Sequence, residues 1–113
     1  MIFENTQTQM RKGILEYCIL SVIAGSEIYA SDILAELKTS RLIVVEGTLY
    51  PLLTRLKNNG LLSYNWVEST SGPPRKYYKL SQEGLEILER LDKTWDELLF
   101  AVQTANSARR SKK

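Results

Sequence analysis

Leucines recur at a helical spacing in residues 46–60, EGTLYPLLTRLKNNG. The positions i, i+3, i+4 and i+7 are taken by Leu49, Leu52, Leu53 and Leu56. This spacing predicts an α-helix with one apolar stripe. Pro51 places the helix start near residues 46–48, because its ring lacks an N–H and crowds the carbonyl four residues earlier. Asn59-Gly60 predicts a left-handed stop. The opposite face has no acid after Glu46, and such a face suits the DNA major groove.

The segments before this helix predict a helix-turn-helix. Residues 9–24 have two apolar lines and predict a helix that packs on its own domain and on a second surface, ending at Gly25-Ser26. Residues 1–8 lack periodicity and are expected to fray. A second helix is predicted to start at Tyr29 or Ser31 and run to about Thr39. The β-branched run at 42–45 is either a short strand or a packed connector. Helix, connector and helix in this order place the second helix for the groove.

The residues after Gly60 predict a β-hairpin. Residues 61–68 alternate, with Leu62, Tyr64 and Trp66 on one side, and residues 75–80 form the returning strand. Residues 69–74, STSGPP, are dense in turn formers. The hairpin is predicted to carry Arg75 and Lys76 at its tip, where they suit phosphates or a minor groove. A hairpin directly after a helix-turn-helix is a wing.

A long C-terminal helix is predicted from the N-cap Ser81 to about residue 106. Its apolar positions recur in steps of four and three, at Gly84, Leu88, Leu91, Trp95, Leu98, Val102 and Ala105. This seam is typical of a coiled coil, and little chain remains to cover it. We therefore expect a homodimer formed by this helix and the first one. Residues 107–113 are expected to be a disordered basic tail.

The predicted fold is mostly α with a small β-hairpin, in the α+β class. It comprises a winged helix-turn-helix domain at residues 1–80, a dimerisation helix at 81–106 and a tail at 107–113. Residues 38–79 hold seven Lys or Arg against two acids, whereas residues 81–106 hold six acids against two cations. A basic segment is often only a solvated face, but this asymmetry favours a polyanionic partner for the middle of the chain.

Composition excludes several classes of protein. The chain has no histidine and one cysteine, Cys18, so His-based catalysis and a Cys or His metal site are excluded, and no cofactor is expected. Cys18 lies in an apolar run and is expected to be a buried thiol. An enzyme is improbable, because the acids lie on predicted exposed helix faces. No apolar run is long enough to span a membrane and no secretory signal is apparent, so a cytoplasmic protein is expected.

Two motifs resemble the PadR family of bacterial transcriptional regulators. One is GTLYP-x-L-x-R-L-x-x-x-G-L at residues 47–61, and the other is GPPRKYY-x-L-S-x-x-G at residues 72–84. With the single C-terminal helix, the resemblance covers nearly the whole chain and is closest to a small, multidrug-binding subfamily. It implies a homodimeric winged-helix repressor of double-stranded operator DNA. The DNA-contacting positions that it implies or that the helix face favours are Thr48, Tyr50, Thr54, Arg55, Lys57, Arg75 and Lys76.

The resemblance also places Trp95 at a dimer seam that binds planar drugs in the subfamily. A flat residue there either stacks or holds the helices apart, which leaves a slot for a planar aromatic effector. Alternatively, Trp95 only fills the dimer core. The candidate lining residues are Met10, Ile14, Leu91, Asp92, Trp95 and Leu99. Whether the effector is a phenolic acid, a cationic drug or absent stays open.

A second class of function stays open as well. A winged helix can serve as a protein–protein interaction module whose basic face contacts an acidic partner. That module would bind DNA loosely and without regard to sequence, whereas a regulator would prefer its operator.

Overall fold

A computed structural model describes residues 1–25, 27–42, 44–69 and 71–112. The elements in chain order are α1 (Ile2–Ala24), β1 (Ile28–Tyr29), α2 (Ala30–Thr39), α3 (Glu46–Asn58), β2 (Leu62–Ser69), β3 (Gly72–Leu80) and α4 (Gln82–Arg110). The three strands form one antiparallel sheet in the order β1-β3-β2. Four helices with this sheet confirm the predicted α+β class.

The core lies between the helices α1, α2 and α3 and the sheet. Its fully buried side chains are Ile19, Leu20, Ile23, Ile33, Leu37, Leu49, Leu53 and Leu56. The leucine stripe of α3 therefore faces inward, as its spacing predicts, with Leu52 half-buried at the edge. At roughly 2 kcal/mol for each fully buried leucine, this stripe fixes which face of α3 is left for solvent.

The two helices of the helix-turn-helix end in the same backbone motif. After α3, Gly60 has a φ of 81°, and the N–H of Leu61 donates to the carbonyl of Leu56. After α2, Arg41 takes the left-handed position at φ 65°, and the N–H of Leu42 donates to the carbonyl of Leu37. These bonds satisfy carbonyls at the helix ends. The stop at Gly60 was predicted, whereas Arg41 carries no sequence signal, because non-glycine residues seldom adopt a positive φ.

The first and last helices are longer than predicted. α1 begins at Ile2, so the prediction that residues 1–8 fray was wrong; the N–H of Asn5 bonds to the carbonyl of Met1 and Thr6 Oγ1 to that of Ile2. α4 continues to Arg110, so the predicted disorder of residues 107–110 was also wrong. Neither extension contains proline, and exposed helix needs no apolar periodicity to form. Ser26 and Lys113, parts of the predicted stop and tail, lie outside the described residues.

The sheet has one strand that the sequence did not predict, and its hairpin turn is shorter than predicted. The unpredicted strand is β1, formed by Ile28–Tyr29. Of the two alternatives for residues 42–45, the described members form the packed connector, with Leu42 and Val44 on the core. Ile43 lies outside the described residues. β3 begins at Gly72, so most of the predicted turn at 69–74 is strand, and Thr70 of that turn is not described. Prolines are tolerated at the start of β3 because β1 pairs only with later residues of β3. The edge of β3 that faces away from β2 therefore has no strand partner there and needs no N–H donor.

The start of α4 is hydrogen-bonded to the residues that follow α3. Ser81 Oγ donates to the carbonyl of Gly60 at 2.6 Å and accepts from the N–H of Gly84 at 3.0 Å, which confirms the predicted N-cap. The N–H of Ser81 bonds to the carbonyl of Leu61 at 3.0 Å. A β-carbon on Gly84 would lie against that same carbonyl, so only glycine allows this approach. The C-terminal helix and the end of α3 are thus joined at one point.

Candidate nucleic-acid interface

The outer face of α3 presents the side chains that the sequence favours for DNA contact. Its leucines are buried, and the five predicted contact residues of α3 are all exposed: Thr48, Tyr50, Thr54, Arg55 and Lys57. Pro51 lies inside α3, in its second turn, as the sequence predicts. The exposed face therefore has the expected chemistry, with hydroxyls, an amide and cations available to a groove.

The two flanks of α3 have different neighbours. On the wing side, Lys57 Nζ lies 5.7 Å from the ring centroid of Tyr64 in β2. On the other side, Arg55 Nη1 makes an ion pair of 3.1 Å with Glu16 Oε1 of α1. An exposed pair of this kind stabilises by roughly 0.2–1 kcal/mol, so it orients Arg55 without locking it. The structure thus directs Arg55 toward α1 rather than toward the wing.

The β2–β3 hairpin is the wing, and its two predicted cations lie on opposite faces. Lys76 is opposite Trp66 in the strand register, whereas Arg75 is opposite Val67. Neighbouring residues of a strand point to opposite faces, so the two cations leave β3 in different directions, although both line the cleft beside α3. Both lie within β3 rather than at the tip, which corrects the predicted position. The cause is the early start of β3 at Gly72.

Each wing cation is held by aromatic rings. Lys76 Nζ is 4.6 Å from the centroid of Tyr64 and 5.3 Å from that of Trp66. Arg75 Cζ is 5.2 Å from the centroid of Tyr29, which packs edge-on against Tyr77 at 4.1 Å. Cation–π contacts at exposed sites are worth about 0.5–1 kcal/mol. These contacts fix where the two charges lie while leaving their hydrogen-bond donors free for a ligand.

A cleft of about 340 Å³ lies between the wing, the start of α2 and α3. Its walls include Tyr29, Ser31, Tyr50, Trp66, Arg75 and Lys76. Three of these were expected at the interface, and Tyr29, Ser31 and Trp66 were not. Burial raises the pKa of the Tyr78 phenol at the base of the cleft, and the neighbouring Tyr50 and Tyr64 add to the rise. The phenol therefore stays a neutral hydrogen-bonding group.

A second groove, of about 690 Å³, lies between α1 and α3. It is lined by apolar residues of both helices and of the 42–45 connector, with three cations at its rim: Arg11, Lys12 and Arg55. Thr48 also lines this groove. The seven predicted DNA-contacting residues therefore do not form one patch. Tyr50 lies beside the wing cations, while Thr48 and Arg55 lie on the α1 side.

The candidate effector residues meet where α4 crosses α1. Tyr17 Oη donates to Asp92 Oδ1 at 2.5 Å, and the ring of Tyr17 lies 6.5 Å from that of Trp95. The hydrogen bond to Asp92, with burial, raises the pKa of Tyr17 to about 12. Tyr17 belongs to one of the two apolar lines predicted for residues 9–24, and it is thus a neighbour of the candidate site that was not among the predicted lining residues. Burial also raises the pKa of the Cys18 thiol, as expected for an inert cysteine.

The other predicted effector residues are spread along the two helices. Met10 and Leu99 are exposed, and Ile14 and Leu91 are half-buried. In a single chain, Trp95 keeps 37% of its surface exposed. The structure therefore brings Asp92 and Trp95 together beside Tyr17.

These elements define the class of the protein. A helix-turn-helix formed by α2 and α3, followed by the β2–β3 hairpin, is the winged helix-turn-helix of DNA-binding regulators. The sequence profile of the transcriptional regulator PadR-like family matches residues 19–93. The chain belongs to this family. This membership confirms the resemblance and the expectation of a transcription regulator rather than an enzyme.

Solved structures agree with the assignment. A PadR-like transcription factor from Bacteroides fragilis is 62% identical, with a TM-score of 0.76, covering 88% of this chain and 96% of its own. A PadR family regulator from Eggerthella lenta is 31% identical, with a TM-score of 0.82, covering 91% and 90%. Bacillus subtilis PadR, solved in complex with operator DNA, shares the fold at 22% identity and a TM-score of 0.64, covering 69% and 46%. The multidrug-binding subfamily stays a prediction.

None of the described helices is both long enough and apolar enough to cross a membrane.

Proposed function

We propose that this PadR-family regulator is a homodimeric repressor that binds double-stranded operator DNA and is released by a planar aromatic effector. The observation that carries the proposal is the cationic surface shared by α3 and the wing. Tyr50 lines a cleft together with Arg75 and Lys76, and none of the described residues that line this cleft is acidic. Lys57 lies over Tyr64 of the wing, and Thr54 is exposed one turn along α3 from Tyr50. Such a surface suits a polyanion with readable base edges.

The dimer would place two α3 helices in successive major grooves of the operator, about 34 Å apart. In this proposal residues 1–80 contact DNA and residues 81–106 pair the protomers. Thr48 and Arg55, on the α1 side of α3, would contact the groove wall away from the wing. An operator occupied near a promoter would exclude polymerase. A protein with the same fold has been solved in complex with operator DNA, which supports operator DNA as the proposed partner.

The proposed effector site lies between the two α4 helices at Trp95. Its exposed ring surface, the Asp92 carboxylate held by Tyr17, and the flanking Leu91 and Leu99 support a planar aromatic ligand. Met10 and Ile14 would close the site from α1. A ligand there releases DNA only if it binds better to a dimer whose α3 spacing no longer matches the operator.

Fluorescence anisotropy at two salt concentrations tests the proposal. It compares the affinity of the protein for the DNA upstream of its own gene with its affinity for a scrambled duplex. We expect selective binding that weakens with salt, and a loss of about 1–3 kcal/mol for Tyr50→Ala or Arg75→Ala with the dimer intact. Adding a planar aromatic dye should release the unaltered protein more readily than Trp95→Ala. Binding that is equal for the two duplexes and is lost at the higher salt concentration would favour the protein–protein interaction module instead.

A further inference from the structure

Trp66 is an exposed aromatic residue that the proposed set of DNA contacts leaves unused. It lies on β2 with 62% of its surface exposed. Along that face of the strand, Leu62 is buried, Tyr64 is half-buried and Trp66 continues past the end of the core. Surface tryptophans are uncommon on a domain unless they bind a partner, because the large ring gains much from leaving water.

The ring of Trp66 is held in place rather than free to reorient. It packs edge-on against Tyr64 with centroids 6.0 Å apart, and Lys76 Nζ lies 5.3 Å from its centroid. A side chain fixed before binding loses little conformational entropy when a ligand arrives. The geometry is therefore that of a preformed contact, with an apolar surface and a cation side by side.

The cleft beside Trp66 has the chemistry of a site for a sugar–phosphate strand. Tyr50 of α3 forms its opposite wall, and Arg75 and Lys76 supply positive charge, with no acid among the described lining residues. Ser31 adds a hydroxyl donor at the start of α2. A DNA strand alternates an apolar sugar face with an anionic phosphate, and the cleft offers a counterpart to each of them.

We propose that one strand of the duplex runs through this cleft, with a deoxyribose against Trp66 and the adjoining phosphate bound by Lys76 on the same face of the wing, while Arg75 adds positive charge from the Tyr29 side of the cleft. This inference rests on the proposed DNA-binding function. Tyr29 is a positioning residue, because its ring packs on Tyr77 and carries the Arg75 guanidinium at 5.2 Å. Trp66 then contributes affinity without salt dependence, whereas Lys76 contributes a phosphate contact.

The first test separates these two contributions on the full chain. Trp66→Ala should weaken operator binding about tenfold and leave the salt slope unchanged. Lys76→Met should lower the slope of log K against log salt by about one. The matched control is Val67→Ala, which alters the next residue of the same strand on the opposite face. Binding by Trp66→Ala equal to that of Val67→Ala would overturn the inference.

A second test does not depend on removing Trp66. The chain has two tryptophans, so Trp95→Phe leaves Trp66 as the sole indole reporter. Acrylamide, a neutral quencher, should quench Trp66 fluorescence in the free protein and much less in the operator complex. Undiminished quenching in the complex would overturn the contact even though the protein binds DNA. If the unaltered chain showed no selective DNA binding, both the proposed function and this inference would fail.

Discussion

The two halves of α4 carry the same heptad seam but lie in different surroundings. In the first half, Gly84 and Leu88 are buried, with Leu88 only 7% exposed. In the second half, Leu98 and Val102 occupy equivalent positions but keep 52% and 55% of their surface exposed. A heptad seam therefore predicts an apolar stripe on the helix but does not predict which surface covers that stripe. The first half packs on its own chain, whereas the second half leaves its seam residues exposed in the single chain.

The two halves also differ in what they can transmit. The first half contacts the residues that follow α3, since Ser81 bonds to the carbonyls of Gly60 and Leu61 and Gly84 packs against Leu61. The junction between the two halves contacts α1, where Tyr17 meets Asp92 and Trp95. Close-packed side chains have low compressibility, so a displacement of one packed element is transmitted to its neighbours.

Gly84→Ala should give the largest effect, because it attacks the first half directly. The added β-carbon would overlap the carbonyl of Leu61, and this backbone group cannot move aside as a flexible side chain can. We expect a loss of about 3 kcal/mol in the free energy of unfolding. Urea denaturation followed by circular dichroism measures it.

Gly47→Ala is the matched control for that experiment. A β-carbon on Gly47 meets no heavy atom within 4 Å, and alanine favours the helix. The control should therefore be neutral or stabilising by a few tenths of a kcal/mol. Equal stabilities of the two variants would show that the contact between Gly84 and Leu61 does not hold α4 to α3.

Leu98→Glu should have the second-largest effect, on assembly rather than on folding. A carboxylate at this exposed seam position should leave the single chain folded but would be buried in a dimer without a partner. We expect the dimer to weaken by about 2 kcal/mol, or roughly 30-fold in Kd, measured by sedimentation equilibrium. Thr104→Glu adds the same charge on the face of α4 opposite the seam, and it should dimerise normally. Equal dimerisation of the two variants would remove the second half of the seam from the interface.

The sequence predicted the elements whose pattern repeats and missed those that depend on distant partners. The leucines of α3 and the seam of α4 recur over several turns, so their helices and buried faces could be predicted. β1 has two residues and exists only because β3 lies beside it, so no local period could reveal it. The approach of Gly84 to Leu61 likewise joins residues whose relation is set by the fold.

For the candidate site, the sequence predicted which types of side chain are present but not the directions in which those side chains point. A helical projection places Arg55 on the exposed surface, but only the structure shows that Glu16 of α1 draws it away from the wing. Strand alternation placed Trp66 with Tyr64, yet its exposure depends on where the core ends. The positions of Arg75 and Lys76 were misjudged because two prolines indicated a turn in a stretch that is an open strand edge.

Asp92→Asn should give the smallest effect, at the junction between the two halves of α4. Removing the carboxylate weakens the bond from Tyr17 Oη by about 1 kcal/mol at most, since solvent competes there. The pKa of Tyr17, about 12 in the unaltered protein, should fall toward the ordinary value of 10.0. Because the folded protein holds the phenolic proton more tightly, this stabilisation is complete below pH 10 and is lost as the pH rises through 12. Carbon-13 NMR of labelled tyrosine measures the titration, with Tyr17→Phe to identify the resonance. An unchanged titration would mean that Asp92 does not hold Tyr17, and the exposed half of α4 would then be tied to α1 by ring packing alone.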